Sequence, residues 1–319
     1  MQKQVTLKDS FSVKSKGLHS GQVITATFCP APANYGYKIQ RIDLEGKPVV
    51  DCLATKVVET TRGTVIAEGD IKISTIEHAM AALYASGIDN CKIEIDGPEM
   101  PILDGSSLIF VQNIQRVGLV EQDAEKNYLK LDKEIVVDGP KGEHIVISPA
   151  DKLSLDITIA FESKMLASQS AELDDIKDFA TEVASARTFV FVRDIQPLFE
   201  LGYIKGGDLD NAIVIYENQQ SQERLDMLAD EMGVPHLDAT KLGYLNRRPL
   251  TWPNEMARHK LLDILGDLAL VGRPLLAKVT AYKPGHSHRC RSDKRIKCLM
   301  PEMDKYLFHS QIPVEHDPC

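Results

Sequence analysis

The stretch "EMARHKLLDILGDLAL" (255–270) is largely aliphatic, yet His259, Asp263 and Asp267 follow one another at intervals of four residues. On a helix of 3.6 residues per turn these three side chains form one row, and the leucines and the isoleucine cover the opposite side. The pattern predicts a helix packed against a core. The polar row has two interpretations: the solvent-facing stripe of an ordinary amphipathic helix, or part of a metal or catalytic site.

Spacing favours a metal site without requiring one. A histidine and an aspartate four residues apart lie one turn apart on the same face, where both can bind one Zn²⁺ at about 2.0 to 2.2 Å. Aspartate is also a poor residue for a helix interior, so helix propensity does not explain its recurrence. A third ligand has to come from elsewhere in the chain.

His78, in "STIEHAM" (74–80), is the best candidate for that third ligand. Glu77 beside it would then lie near the metal, where a carboxylate can take a proton from water and act as a general base. The alternative is local: Ser74 and Glu77 have the spacing of a capping box, and His78 is then an ordinary helical histidine.

Four further residues could belong to a site, each with an equally simple structural explanation. His286, in "KPGH" (283–286), can donate a proton near neutral pH, or it is a histidine of a surface turn. Thr188 and Phe189, in "SARTF" (185–189), could hold an oxyanion and pack on a sugar, or they belong to a buried strand. Asp104 could be a turn residue. The glycines of "GGDLDN" (206–211) lack the context of a dinucleotide site.

Composition indicates a soluble, cytoplasmic protein. The 319 residues are 43% hydrophobic and carry a formal net charge of -9, so we expect no nucleic-acid partner. The N-terminus lacks the apolar core of a signal peptide, and no run of apolar residues is long enough for a transmembrane segment. The six cysteines are scattered without C-x-x-C spacing, which predicts reduced thiols.

Short alternating apolar segments and helical segments predict an α+β fold with two domains of similar topology. Each domain is expected to be a β-sheet layer packed with helices, with the active site at the domain interface. The polar segment "EQDAEKN" (121–127) is the candidate boundary. The predicted parts are an N-terminal domain (1–122), a C-terminal domain (123–288) with insertions near 190–210 and 217–252, and a poorly ordered tail (289–319).

Seven segments together resemble the UDP-3-O-acyl-N-acetylglucosamine deacetylase family, zinc hydrolases of lipid A biosynthesis. The similarity runs from about residue 3 to residue 286, and the segments keep the family's order. They are "GLHSG" (17–21), "STIEHAMAALYASGIDN" (74–90), "DGPEMPILDGSS" (96–107), "SARTF" (185–189), "GGDLDNAIV" (206–214), "RHKLLDILGDLAL" (258–270) and "KPGH" (283–286). The tail after residue 286 departs from the family's pattern.

The resemblance implies a zinc amidohydrolase that removes the N-acetyl group from a UDP-linked, acylated N-acetylglucosamine and releases acetate. It implies Zn²⁺ held by His78, His259 and Asp263. It implies four catalytic residues: Glu77 as base, His286 as proton donor, Asp267 to orient His286, and Thr188 to help hold the oxyanion.

The resemblance also implies substrate contacts. Lys260 resembles the family's substrate-binding lysine, Phe189 would pack near the glucosamine, and Phe161 would lie toward the uridine. Leu18, Leu201 and Ile204 complete the implied contacts, the last two in an apolar passage for the acyl chain, together with Leu198.

Two other functions stay open at this point: a non-catalytic binder of nucleotide sugars or acyl chains, and a metal-dependent amidohydrolase with another substrate. Neither the metal ligands nor Glu77 are lost, which favours an enzyme. The insertion at 217–252 resembles longer relatives that carry a fused 3-hydroxyacyl-carrier-protein dehydratase domain. We expect a monomer.

Overall fold

This computed structural model describes residues 2–60, 62–139 and 142–284. These residues contain nineteen strands and six α-helices. The strands are β1 (Lys3–Leu7), β2 (Phe11–Lys16), β3 (Val23–Pro30), β4 (Tyr37–Arg41), β5 (Val49–Asp51), β6 (Val57–Glu59), β7 (Val65–Glu68), β8 (Ile71–Ile73), β9 (Cys91–Ile95), β10 (Leu119–Glu125), β11 (Leu129–Lys130), β12 (Ile135–Asp138), β13 (His144–Pro149), β14 (Ser154–Ala160), β15 (Ser168–Leu173), β16 (Phe189–Phe191), β17 (Ile213–Tyr216), β18 (Gly243–Tyr244) and β19 (Leu275–Tyr282). The helices are α1 (Glu77–Ala85), α2 (Leu108–Val117), α3 (Phe179–Glu182), α4 (Val192–Glu200), α5 (Gln222–Met232) and α6 (Glu255–Ala269). A mixed α+β fold was predicted and is confirmed.

Two sheets share one strand arrangement. The first has the order β2-β3-β9-β4-β5, and the second has the order β12-β13-β19-β14-β15, with β11 also pairing with β19. In each sheet the central strand, β9 or β19, is antiparallel to one neighbour and parallel to the other. Smaller sheets join β1 to β10, β6 to β7 and β8, and β16 to β17 and β18.

Alternation of side chains fixes which face of a strand is buried. In β14, Leu155, Ile157 and Ile159 are buried, while the polar side chains between them are partly exposed. Successive side chains of a strand point to opposite faces, so this pattern suits a sheet with one face on the core.

Helices α1 and α6 occupy equivalent places, each preceding the central strand of its sheet. They also pack against each other. A Cβ atom added at Gly266 of α6 would lie 2.1 Å from the carbonyl oxygen of Glu77, so the backbones come closer there than any larger residue allows. Every residue of α1 from Glu77 to Tyr84 is buried, and Gly87, with φ +72°, follows the end of the helix.

Most of the candidate boundary segment, 121–127, lies in a strand. Residues 119–125 form β10, which pairs with β1 in antiparallel register, with Thr6 opposite Val120. No sign of this strand is visible in the sequence, because most of its side chains are exposed and show no apolar alternation. The two-domain division itself stays a prediction.

The insertion between β16 and β18 has its own apolar cluster. It contains α4 and α5. Ser221 caps α5 by accepting a hydrogen bond from the Arg224 amide (3.3 Å), and Gly233, in the left-handed region, ends it.

Two predictions concern features that the described residues cover only partly. No helix in residues 2–284, apart from the gaps already given, is long and apolar enough to cross a membrane. Cys29, Cys52 and Cys91 are free thiols, as predicted, and the other three cysteines and the predicted poorly ordered tail lie outside the described residues.

Candidate metal centre and adjoining cavity

His78, His259 and Asp263 converge between α1 and α6. One potential ligand atom from each lies within 4.8 Å of the others. The Oδ1 atom of Asp263 is 3.6 Å from Nε2 of His78 and 3.4 Å from Nε2 of His259, and the two imidazole rings meet edge to face. The structure therefore joins the histidine of "STIEHAM" to the polar row of α6.

Contacts behind the cluster orient its members. The Nδ1 atom of His259 lies 3.0 Å from the carbonyl oxygen of Ala186, which makes Nδ1 the donor and leaves the lone pair of Nε2 on the side of Asp263. The hydroxyl of Ser107 donates to the carbonyl oxygen of His78 (2.8 Å) in the first turn of α1. The imidazole of His259 and the backbone of His78 are therefore both held by contacts outside the cluster.

The electrostatics of the three side chains suit a divalent cation. Burial, followed by the nearby His259, lowers the pKa of His78 to about 3, and burial also lowers the pKa of His259, so both imidazoles offer a neutral nitrogen. Burial opposes ionisation of Asp263, but the surrounding His259 and Lys260 outweigh it and hold the pKa of Asp263 below its usual range.

An orphaned oxygen tests whether a metal fits. Lys260 donates to Oδ2 of Asp263 (2.7 Å), whereas Oδ1 is buried and accepts no hydrogen bond within the described residues. A buried carboxylate oxygen without a donor is costly. Two neutral imidazole nitrogens and one carboxylate oxygen form a donor set that Zn²⁺ accepts, so the residues fit the ion.

Glu77 is buried beside the cluster and does not cap its helix. Its Oε2 accepts a hydrogen bond from the backbone amide of Thr64 (3.0 Å), and the N-cap of α1 is Ile76, without a side-chain cap. The capping-box alternative is therefore wrong. Burial, followed by the negative charge of Asp263, raises the pKa of Glu77 to about 7.

Asp267 does not belong to the ligand cluster. Its Oδ1 accepts a hydrogen bond from the hydroxyl of Thr64 (2.6 Å), and within the described residues no salt bridge reaches it. Burial, followed by the charges of Glu77 and Asp263, raises the pKa of Asp267 well above its ordinary value. His286, its predicted partner, lies outside the described residues.

Thr64 is a site residue that sequence reasoning missed. Its amide holds Glu77 and its hydroxyl holds Asp267, so one loop residue connects α1 with α6. It is distant in sequence from α6 and belongs to no motif quoted above, so no local pattern could have pointed to it.

A cavity of about 1040 Å³, counted out to its mouth, opens next to Lys260. Five residues predicted as catalytic or as substrate contacts line it: Leu18, Thr188, Phe189, Ile204 and Lys260. Leu198 lines it as well, as predicted for the apolar passage.

Two predicted substrate contacts lie elsewhere. Leu201 is 73% exposed and does not line the cavity, because α4 ends at Glu200 and the chain turns at Gly202. Phe161 packs edge-on against Phe189, with 5.7 Å between ring centroids, so it supports a lining residue and is not itself part of the wall.

Asp104 is a turn residue, as the sequence suggested. Its Oδ1 accepts hydrogen bonds from the hydroxyl (2.7 Å) and the amide (3.2 Å) of Ser106.

Comparisons with known proteins identify the relatives of this chain. The family model described as UDP-3-O-acyl N-acetylglycosamine deacetylase matches residues 4–239 and 235–297. The "Bifunctional enzyme LpxC/FabZ" of Bacteroides thetaiotaomicron is 57% identical over 288 residues, which is 90% of this chain and 62% of that protein. The same enzyme of Porphyromonas gingivalis is 54% identical over 288 residues, again 90% of this chain and 62% of the relative. The "UDP-3-O-acyl-N-acetylglucosamine deacetylase" of Myxococcus xanthus is 40% identical over 286 residues, which is 89% of this chain and 83% of that protein.

The chain thus spans 62% of the length of the two bifunctional relatives.

Proposed function

Because the chain belongs to the UDP-3-O-acyl N-acetylglycosamine deacetylase family, we propose that it is a deacetylase of lipid A biosynthesis. The substrate would be UDP-3-O-(3-hydroxyacyl)-N-acetylglucosamine, and the products would be the free amine and acetate. The observation that carries this proposal is the cluster of His78, His259 and Asp263 with a buried Glu77 beside it. A cytoplasmic location and a monomeric state go with the proposal and stay predictions.

The proposal includes two domains, 1–122 and 123–288, that meet at the site. The repeated strand order supports this division, since β9 and β19 hold the same position in their sheets. One candidate ligand comes from the helix before β9, and two come from the helix before β19.

His78, His259 and Asp263 would hold Zn²⁺. Bound there, zinc would supply a water molecule with a lowered pKa and a positive charge for the amide oxygen. Lys260 neutralises the second oxygen of Asp263 and so keeps that carboxylate in one orientation.

Glu77 would remove the proton from the attacking water. Its carboxylate is fixed at one oxygen by the Thr64 amide, and it directly precedes His78 in α1. As water adds to the acetyl carbon, the proton moves to Glu77. The C–N bond then breaks, and the departing amine needs a proton.

His286 would protonate that amine, with Asp267 orienting the imidazole. The buried Asp267 carboxylate supports this role, since it accepts a hydrogen bond from the Thr64 hydroxyl but forms no salt bridge within the described residues. An imidazolium there would offset the desolvation of Asp267.

The cavity would bind the rest of the substrate. Lys260 and Thr188 are polar lining residues, and Phe189 adds an aromatic surface. The centroid of the Phe189 ring lies 5.6 Å from Nζ of Lys260. Thr188 would help hold the oxyanion, and the acyl chain would occupy the apolar part.

Glu77→Ala tests the catalytic assignment. We expect the variant to retain zinc, because Glu77 is not a ligand, and to lose about 10²- to 10⁴-fold in kcat, the usual contribution of a general base. Zinc content by elemental analysis and acetate release from UDP-3-O-acyl-N-acetylglucosamine are the two measurements.

Glu231→Ala is the matched control, since Glu231 is an exposed glutamate near the end of α5. It should keep both zinc and activity. A folded wild type with bound zinc and no turnover would favour a non-catalytic binder, and turnover of other acetylated amines alone would favour another amidohydrolase. Loss of zinc from Glu77→Ala would contradict the role assigned to Glu77.

A further inference from the structure

The apolar cluster of the insertion surrounds a space and does not fill it. Of its ten buried members, all but Tyr216 and Ala239 line the cavity described above. A concave space that is lined mainly by apolar side chains, with a few polar groups, is typical of a site for a small ligand.

The cavity lining combines polar and apolar side chains. Its polar side chains are those of Lys260, Thr188, His19, Arg62 and Asp208. Lys260 is bonded to Asp263, which ties this part of the cavity to the candidate metal centre. The residues that α5 contributes are all apolar, so a ligand with a polar head and an alkyl tail would place its tail against α5.

Helix α5 presents one row of side chains to the cavity: Leu225, Leu228, Ala229 and Met232. Their spacing puts them on one face of the helix. Ala229 is the smallest of the four and lines the cavity, so a longer side chain at this position would extend into it.

The position of α5 is fixed at both ends. Ser221 caps its start, and Gly233 ends it. In addition, the hydroxyl of Tyr216 joins the segment before α5 to the segment after it. It accepts from the amide of Gln220 (2.8 Å) and donates to the carbonyl oxygen of Ala239 (3.0 Å). A helix held in this way cannot simply retreat from a longer ligand.

We propose that α5 closes the tail end of the cavity and that Ala229 determines the longest alkyl chain that the cavity admits. The identity of the head group rests on the proposed function, whereas the length limit follows from the wall. A larger side chain at position 229 removes volume at the tail end, and each methylene kept out of an apolar site weakens binding by about fourfold.

The test compares Ala229→Phe with Met227→Phe, which adds the same side chain at a position of α5 that is 71% exposed. Substrates are UDP-3-O-acyl-N-acetylglucosamines with decanoyl, tetradecanoyl and octadecanoyl chains. We expect Ala229→Phe to reduce kcat/KM for the longest accepted chain by about tenfold or more, with the decanoyl substrate changed by less than about twofold. Met227→Phe should keep the wild-type profile.

A binding measurement separates this inference from the proposed function. Calorimetric titration of the same proteins with decanoate, tetradecanoate and octadecanoate reports the length limit without any turnover. If no UDP substrate is hydrolysed but Ala229→Phe still shifts fatty-acid binding to shorter chains, the proposed function fails and the inference stands.

Equal weakening of all chain lengths by Ala229→Phe, or the same shift in Met227→Phe, would overturn the inference. If Ala229→Phe does not fold, Leu225→Ala tests the wall in the opposite direction. It should extend binding to longer chains, and an unchanged length profile there would also overturn the inference.

Discussion

Asp263 serves two partners with its two carboxylate oxygens. Oδ2 accepts from Lys260, and Oδ1 faces the Nε2 atoms of His78 and His259. This division explains why Lys260 belongs to the site although it is not a ligand. It also distinguishes Asp263 from Asp267, the next carboxylate of the same row, which bonds to Thr64.

Glu255, at the start of α6, lies outside the site and holds the segment that orients His259. It is fully buried and accepts hydrogen bonds from the amide and side chain of Arg187 and from the amide of Thr251. Arg187 follows Ala186, whose carbonyl oxygen orients His259. The ion pair therefore fixes the turn against which a metal ligand rests.

Glu255→Ala should lower the free energy of unfolding by about 3–5 kcal/mol, because it leaves the Arg187 guanidinium buried without its partner. It should also weaken zinc binding through the displaced Ala186 carbonyl. Urea unfolding of the metal-free proteins and zinc titration measure the two effects.

Asp210→Ala is the comparison, because it removes an ion pair with Arg247 in which both side chains are about half exposed. Exposed pairs contribute only about 0–1 kcal/mol. If Glu255→Ala proves no more destabilising than Asp210→Ala, the buried pair does not hold the turn.

At the scale of elements, the site depends on the contact between α1 and α6. Gly266 lets the two backbones meet at Glu77, one residue before His78. Since His78 is on one helix and the other two candidate ligands are on the second, the spacing of the helices sets the size of the cluster.

Gly266→Ala should destabilise the protein by about 1–3 kcal/mol, the usual cost of overpacking, and weaken zinc binding by separating the helices. The sign of the change in the free energy of unfolding is informative, because replacing glycine by alanine inside a helix otherwise stabilises a protein by about 1 kcal/mol. Thermal unfolding and zinc titration give the result. If Gly266→Ala is as stable as the wild type or more stable, α1 moves to make room for the added methyl group and the close contact is not required.

Across the whole molecule, two sheets with the same strand order contribute to one cluster and one continuous apolar core. A metal that binds His78 together with His259 and Asp263 therefore stabilises the contact between the two halves. Ligand bound only to the folded state adds about 4 kcal/mol at a concentration 1,000-fold above its Kd.

Removal of zinc with a chelator should accordingly lower Tm by several degrees, and adding zinc back should restore it. His78→Ala should lose this zinc-dependent shift, and Asp267→Asn should retain it, because Asp267 lies outside the cluster. Differential scanning calorimetry of the three proteins decides the matter. A zinc-dependent shift that survives in His78→Ala would contradict the assignment of that ligand.

Much of the fold could be predicted locally. The apolar face of 255–270 and the strand alternation of β14 reflect periods of 3.6 and 2 that neighbouring residues create by themselves. The segment at 119–125 escaped prediction because its strand pairs with β1, far away in sequence. Exposed polar residues carry no signal of such pairing.

For the site, the sequence by itself determined which residue types were present, their spacing on α6, and the resemblance to a family of zinc deacetylases. That resemblance implied the set of His78, His259 and Asp263 and a separate role for Asp267, and the structure brings the three together. The tertiary structure alone decided that Glu77 bonds to Thr64 and does not cap its helix, and that Thr64 also holds Asp267. The physical reason is that periodicity orients side chains only within one element. Which carboxylate meets which partner depends on how α1, α6 and the loop of Thr64 pack, and that packing is set by a core drawn from the whole chain.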